Sequence, residues 1–193
     1  MSFLHLVLGP MYSGKTSELI RLAERYRIAD KRVLVVKYGG DDRYTQDVHT
    51  PSVATHNGRC IEAVAAFQLK EIVDKGLLDN HDVICVDEIQ FYPDSHLLCE
   101  WADSGKTVVA SGLTGNYLRE QFQGMPHLMS NADCIEHLTS VCMNCKKDGA
   151  AFSALLEPCS EVNKKAATKL IGGQETYLAL CRKCYCEQNR IHN

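Results

Sequence analysis

No apolar run in these 193 residues reaches the roughly 18 that a membrane-spanning helix needs, so no membrane span or membrane partner is expected. Positive charge is scarce too: 21 Lys and Arg stand against 24 Asp and Glu, a formal net charge of −3. That balance argues against a dedicated duplex-binding protein, which needs a basic face to neutralise phosphates. The opening residues Met1-Ser2-Phe3-Leu4-His5-Leu6-Val7-Leu8 lack a basic leader and a small-residue cleavage site. They read as a strand rather than a secretory signal. No internal repeat or low-complexity segment stands out. Wholesale disorder is excluded by a 45% hydrophobic composition, which can bury a sizeable core.

Ten cysteines are present. Without a secretory signal they point away from a disulfide framework and toward the reducing cytoplasm. Four form the pairs Cys142-x-x-Cys145 and Cys181-x-x-Cys184, the ligand spacing of a tetrahedral zinc site. The pairs bracket Lys146–Leu180, so the intervening chain is expected to be a long loop pinned at its base by metal. Free thiols or two redox dithiols are the alternatives. Cys85 and Cys99 read as buried, and Cys186 as packing or exposed.

Residues 1 to about 140 alternate short apolar runs with helical patterns. Phe3–Leu8, Val33–Val36, Val83–Val86 and Thr107–Ala110 read as strands. Ser17–Asp30, Ile61–Lys75 and Pro93–Gly105 read as helices, and Gly39–Pro51 as a loop. Such alternation implies an α/β fold with a parallel sheet flanked by helices. From Val141 the metal-spaced cysteines begin and helical periodicity fades, so 141–193 is expected to form a small second domain.

Gly9-Pro10-Met11-Tyr12-Ser13-Gly14-Lys15-Thr16 matches GxxxxGK[ST] between a predicted strand and a predicted helix. In that context the turn aims backbone N–H groups at phosphate oxygens, backed by the helix dipole. Lys15 would reach the β- and γ-phosphates of ATP, and the Thr16 hydroxyl would hold Mg²⁺. Asp87 ends a buried strand, where open α/β sheets place ligands, and would face the Mg²⁺. Glu88 follows on the alternate side and could serve a neighbouring acceptor.

These elements resemble the type II thymidine kinases, a cytosolic family with a P-loop core and a zinc-clamped lasso. The resemblance runs from about Leu4 to Tyr185. Besides the P-loop and the cysteine pairs it rests on Lys37-Tyr38-Gly39-Gly40-Asp41-Asp42-Arg43-Tyr44, Thr55-His56, Asp87-Glu88-Ile89-Gln90-Phe91, and Ile171-Gly172-Gly173 shortly before Tyr177. It implies phosphoryl transfer from ATP to the 5′-hydroxyl of thymidine, with Glu88 as general base. It implies that Asp41, Asp42, Arg43, Asp87 and Gln90 lie near the phosphates and metal. Met11, Phe91, Leu113, Tyr117 and Phe122 would wall the nucleoside. From a zinc-ribbon-like lasso would come Thr168, Lys169, Leu170, Ile171 and Gly172, largely through backbone groups, and Tyr177. A homotetramer or dimer, and feedback by thymidine triphosphate, are implied by the resemblance alone.

The chain departs from the family pattern in places. Leu113-Thr114-Gly115 stands where the family usually has Leu-Asp-Gly, and Tyr117 where it usually has Phe. Two other function classes share some of these features. A zinc-ribbon nucleic-acid-binding ATPase would use Lys146-Lys147, Lys164-Lys165 and Arg182-Lys183 as a basic stripe. A kinase-like regulator without activity would not need both Lys15 and Glu88.

Overall fold

The computed structural model describes residues 2–41, 52–54, 60–156 and 176–190. Its centre is a six-stranded sheet built from β1 (Phe3–Gly9), β2 (Val33–Tyr38), β5 (Val64–Ala66), β6 (Val83–Val86), β7 (Thr107–Leu113) and β8 (Cys134–His137). The order across the sheet is β5-β2-β6-β7-β1-β8, and every neighbouring pair is parallel. A parallel sheet needs a crossover between strands, and helices supply most of them. The helices are α1 (Lys15–Ile28), α2 (Lys70–Asp74), α3 (Leu97–Asp103) and α4 (Met125–Asn131).

The alternation of side chains along each strand sorts the core into two layers. Leu4, Leu6, Leu8, Leu34, Val36, Ile84, Val86, Val108 and Ala110 point to the side of α3 and α4, where Leu98, Trp101, Met125 and Leu128 meet them. Val7, Val35, Val83, Cys85 and Val109 point to the other side, against Leu19, Ile20, Leu22 and Ala23 of α1. Each such buried aliphatic contributes roughly 1.5–3 kcal/mol. Strands buried on both faces have no room for alternating polar residues, which is why β6 reads as an unbroken apolar run.

Three expected elements change their bounds. The helix expected over Ile61–Lys75 is strand over much of its first half: β4 (Cys60–Glu62) pairs antiparallel with β3 (Ser52–Ala54), and β5 pairs parallel with β2. Only Lys70–Asp74 is helical. The alanine-rich stretch suits a helix locally, but the register Val36↔Val64 and Tyr38↔Ala66 captures it for the sheet edge. The helix expected from Pro93 begins at Leu97, and β7 runs on to Leu113 rather than stopping at Ala110.

Beyond β8, the antiparallel pair β9 (Phe152–Leu155) and β10 (Tyr177–Leu180) leads into α5 (Arg182–Arg190). Its small core contains Cys142, Ala150, Ala154, Ala179, Leu180, Cys184 and Tyr185, with Cys186 packed at the margin. Cys85 and Cys99 are buried, as expected. Among the described residues no helix is long and apolar enough to cross a membrane. β1, β2, β6 and β7 all end at the same edge of the sheet. Residues 9–16, Asp87, Leu113 and Asp41 therefore gather there.

Candidate active site

β1 delivers the chain into the loop 9–16, and α1 carries it out. Gly9 has no room for a side chain: an added Cβ would lie 2.5 Å from Ser13 Oγ and 2.6 Å from the Leu138 carbonyl oxygen. Tyr12 (φ 62°) and Gly14 (φ 85°) adopt left-handed backbone, which curls the loop. The Ser13 hydroxyl and Lys15 Nζ both donate to the Pro10 carbonyl, at 2.9 and 2.7 Å. No side chain caps α1, the arrangement in which a bound anion takes the cap's place.

Asp87 stands at the end of β6, two strands across from β1, and is buried. Thr16 donates its hydroxyl to Asp87 Oδ2 at 3.1 Å. Ser111, wholly buried on the intervening β7, donates to Oδ1, which also accepts the Glu88 N–H at 3.1 Å. Burial pushes the Asp87 carboxyl up to about 6, and the negative Glu88 adds to the rise. The hydroxyls of Ser111 and Thr16, and the positive charge of Lys15, pull the other way. A carboxylate flanked by the Thr16 and Ser111 hydroxyls is a hard oxygen cluster, the donor chemistry that suits Mg²⁺.

Glu88 itself is held in left-handed backbone, φ 56° and ψ 46°. For a residue with a side chain this conformation is uncommon and concentrates at functional positions. The turn lifts its half-buried carboxylate off the strand end. Gln90 Nε2 donates to Glu88 Oε2 at 2.5 Å, while Gln90 Oε1 accepts the Leu113 N–H at 3.1 Å. Gln90, expected near the phosphates, is thus placed between Glu88 and the end of β7. Gly112 leaves the space this requires: a Cβ there would lie 2.8 Å from Gln90 Oε1.

An apolar cluster flanks this edge. Tyr117, Leu155 and Tyr177 are buried against one another, with Met11 and Leu118 packed on them. Three of the residues expected to contact a nucleoside, Met11 and Tyr117 of the wall and Tyr177 of the lasso, therefore meet. Phe91 lies on Tyr38, ring centroids 5.1 Å apart, and Phe122 packs against the main core, both outside this cluster. Asp41 closes a turn on the Tyr38 carbonyl. Asp42, Arg43, Thr55, His56 and Thr168–Gly172 lie outside the described residues.

The four paired cysteines converge. Sulfurs of Cys142, Cys145, Cys181 and Cys184 all lie within 4.8 Å of one another. The Cys142 carbonyl accepts the Lys146 N–H in a tight turn with Lys146 at φ 61°. Burial opposes ionisation of Cys142, but N–H groups of Cys181, Cys145 and Asn144 outweigh it and lower the thiol to about 6. Burial, then the three neighbouring thiols, push Cys184 up to about 12. Four crowded sulfurs cannot all ionise unaided, and a divalent cation supplies the positive charge that lets them. Four thiol donors at this separation fit zinc. Two of the basic residues nearby are engaged with the protein rather than forming an open stripe. Lys146 Nζ donates to the Met143 carbonyl, and the Arg182 guanidinium lies over Phe152 at 4.8 Å.

The family model for thymidine kinase matches residues 2–185. The chain belongs to the thymidine kinase family. Relatives extend across most of its length. It is 38% identical to the thymidine kinase of sheeppox virus over 184 residues, covering 95% of this chain and 96% of the viral one. It is 37% identical to thymidine kinase 1 of Dictyostelium discoideum over 183 residues, covering 94% and 77% respectively. The vaccinia virus thymidine kinase is 36% identical over 185 residues, covering 95% and 97%.

For a member of this kinase family the geometry also supplies residues that motif reading missed. Ser111 completes the Asp87 node. Ser153 accepts the Met11 N–H at 3.0 Å, and Ser140 donates to the Tyr12 carbonyl at 3.1 Å, so the chain on either side of Cys142 grips the loop 9–16. Lone serines carry no spacing signal, and the contacts of Ser140 and Ser153 span more than a hundred residues. Nothing in a single sequence announces them.

Proposed function

We propose that this chain transfers the γ-phosphoryl group of ATP to the 5′-hydroxyl of thymidine. The observation that carries the reading is the joint placement, at one sheet edge, of the curled loop 9–16, the Thr16–Asp87–Ser111 node, and Glu88 raised on a left-handed turn. In this reading the loop and the start of α1 bind the triphosphate, and Lys15 leaves the Pro10 carbonyl to meet it. Thr16 and Asp87 hold Mg²⁺, which when bound neutralises charge developing on the phosphate oxygens. Glu88, oriented by Gln90, accepts the proton of the attacking 5′-hydroxyl. Met11, Tyr117 and Tyr177 grip the flat base, and the chain around Thr168–Gly172 pairs with its edge. Leu113, Phe91 and Phe122 serve as further wall, and Asp41, Asp42 and Arg43 lie toward the phosphates.

Zinc on Cys142, Cys145, Cys181 and Cys184 is structural here. Four thiolates would fill its coordination sphere and leave no open place for a substrate. Residues 1–140 form the ATP-binding part and 141–193 the part that closes on the nucleoside. We further infer a cytoplasmic enzyme, assembled as a homotetramer or dimer, and feedback by thymidine triphosphate.

The test is direct. Purified protein with ATP, Mg²⁺ and thymidine should yield thymidine monophosphate, and Lys15→Ala should lose most turnover while keeping its fold by circular dichroism. Thermal shift with thymidine, other deoxynucleosides and single-stranded DNA separates this reading from a nucleic-acid-binding ATPase, because a ligand that binds only the folded state raises its stability. Stabilisation by DNA but not by thymidine would overturn it.

A further inference from the structure

The three residues of the apolar cluster share a feature that packing alone does not require. The backbone carbonyl of each accepts a hydrogen bond from a side chain elsewhere in the chain. The Tyr117 carbonyl accepts the Tyr185 hydroxyl at 2.7 Å in a buried contact. The Leu155 carbonyl accepts Gln188 Nε2 at 2.9 Å. The Tyr177 carbonyl accepts the Tyr12 hydroxyl at 3.2 Å. Two of the three donors, Tyr185 and Gln188, belong to α5 and are three residues apart, so they share one face of the helix.

That face begins at the cysteine cluster. Cys181 immediately precedes α5 and Cys184 lies in its first turn. The Tyr185 N–H donates to the Cys181 carbonyl at 2.9 Å, one residue beyond the buried Cys184. The Tyr185 ring is fixed in turn by Phe152, centroids 5.5 Å apart, and by the Arg119 guanidinium 4.7 Å from its centroid. Arg119 belongs to the loop that carries Tyr117. The Asn116 side chain organises that loop, its Oδ1 accepting the N–H groups of Leu118 and Glu120.

We infer that Tyr185 and Gln188 are positioning residues: they form a template on α5 that sets the backbone of the nucleoside wall at Tyr117 and Leu155. Neither touches the reacting atoms. They transmit the constraint that the four cysteines impose at the start of α5 to the loop after β7 and to β9. Without them the wall rings could still pack, but the carbonyls behind them would seek other partners and the wall would shift. The assignment of the cluster as a nucleoside wall rests on the function proposed above.

Tyr185→Phe keeps the ring beside Arg119 and Phe152 and removes only the hydroxyl. Gln188→Met nearly conserves volume and removes the amide, and with it the donor to the Leu155 carbonyl. Steady-state kinetics of each should show the KM for thymidine raised about three- to tenfold, the scale of one lost hydrogen bond. The KM for ATP should stay within about twofold, and zinc content should be unchanged. A purely structural role would lower the thermal midpoint and leave both KM values alone, and would overturn the inference. Equal rises in both KM values would do the same. A second readout does not depend on catalysis. Amide exchange of Leu118 and Glu120 should quicken in Tyr185→Phe without any ligand, while β7 is unaffected. Unchanged exchange there overturns the link even if the kinase assignment stands. A wild-type chain inactive on thymidine would sink the kinase assignment instead and leave this exchange test intact.

Discussion

Asp87→Asn offers a separation of stability from activity that can be worked from the structure. The wild-type carboxyl is buried and raised from 3.8 to about 6, first by burial and then by Glu88. Below pH 3.8 it is protonated in both the folded and the unfolded chain. Between about 4 and 6 the folded state holds the proton more tightly, so the stability this provides is lost as pH rises through that window. Above pH 6 both states are ionised, and the folded state bears the full penalty of a buried charge. A difference of about 2 pK units corresponds to a penalty on the order of 3 kcal/mol. Asparagine has nearly the same shape, and the Thr16 and Ser111 hydroxyls can each turn to donate or accept, so both contacts survive without the charge. In Mg²⁺-free buffer, urea unfolding should therefore find Asp87→Asn more stable than wild type by about 2–3 kcal/mol at pH 8. At pH 4 the gap should fall below about 1 kcal/mol. Kinase activity should be lost at both. Equal stability at pH 8, or a gap independent of pH, would refute the argument that Asp87 is a strained buried charge awaiting a cation.

Glu88→Gln should reduce kcat by roughly 10²–10⁴ with thymidine binding retained, since the amide cannot accept the 5′-hydroxyl proton; isothermal titration alongside turnover assays decides it, and an unchanged kcat with raised KM would make Glu88 a binding group. Gly9→Ala drives a methyl group to 2.6 Å from the Leu138 carbonyl, a backbone atom that cannot swing away; it should destabilise by about 1–3 kcal/mol and weaken ATP binding, and a fully active, equally stable variant would contradict the loop geometry. Elemental analysis should find one zinc per chain, and Cys142→Ser with Cys145→Ser should abolish it; zinc retained by that double variant would place the metal elsewhere.

The parts of the fold legible in the sequence are those governed by local chemistry. Gly9, Gly14, Lys15 and Thr16 declare a strand–loop–helix because few other residues tolerate that backbone, and the four apolar runs declare buried strands. What was misread depended on partners far along the chain. Ala63-Val64-Ala65-Ala66 carries good helix formers, and only its pairing with Val36–Tyr38 makes a strand of it. Cys134-Ile135-Glu136-His137 passed unread because an edge strand, half exposed, has no apolar run to offer. In the site, Asp87 and Glu88 could be named from position, but not the left-handed turn that separates their directions. The serines at 111, 140 and 153 make their contacts through single hydroxyls at long range, and so left no pattern to find.

The grip of Ser140 and Ser153 on Met11 and Tyr12 bears on how such a chain can be cut or recombined. Its two halves look like a nucleotide-binding unit followed by an exchangeable cassette, and the change in composition near Val141 invites a cut there. Yet a fragment ending at that point would lose Ser153, the partner of the Met11 amide. A chimera joining this core to another relative's cysteine segment would face the same problem unless residues 11, 12, 140 and 153 travelled together. The cassette therefore extends back into the first dozen residues of the chain, and a functional transplant would have to be drawn along hydrogen bonds rather than along sequence order.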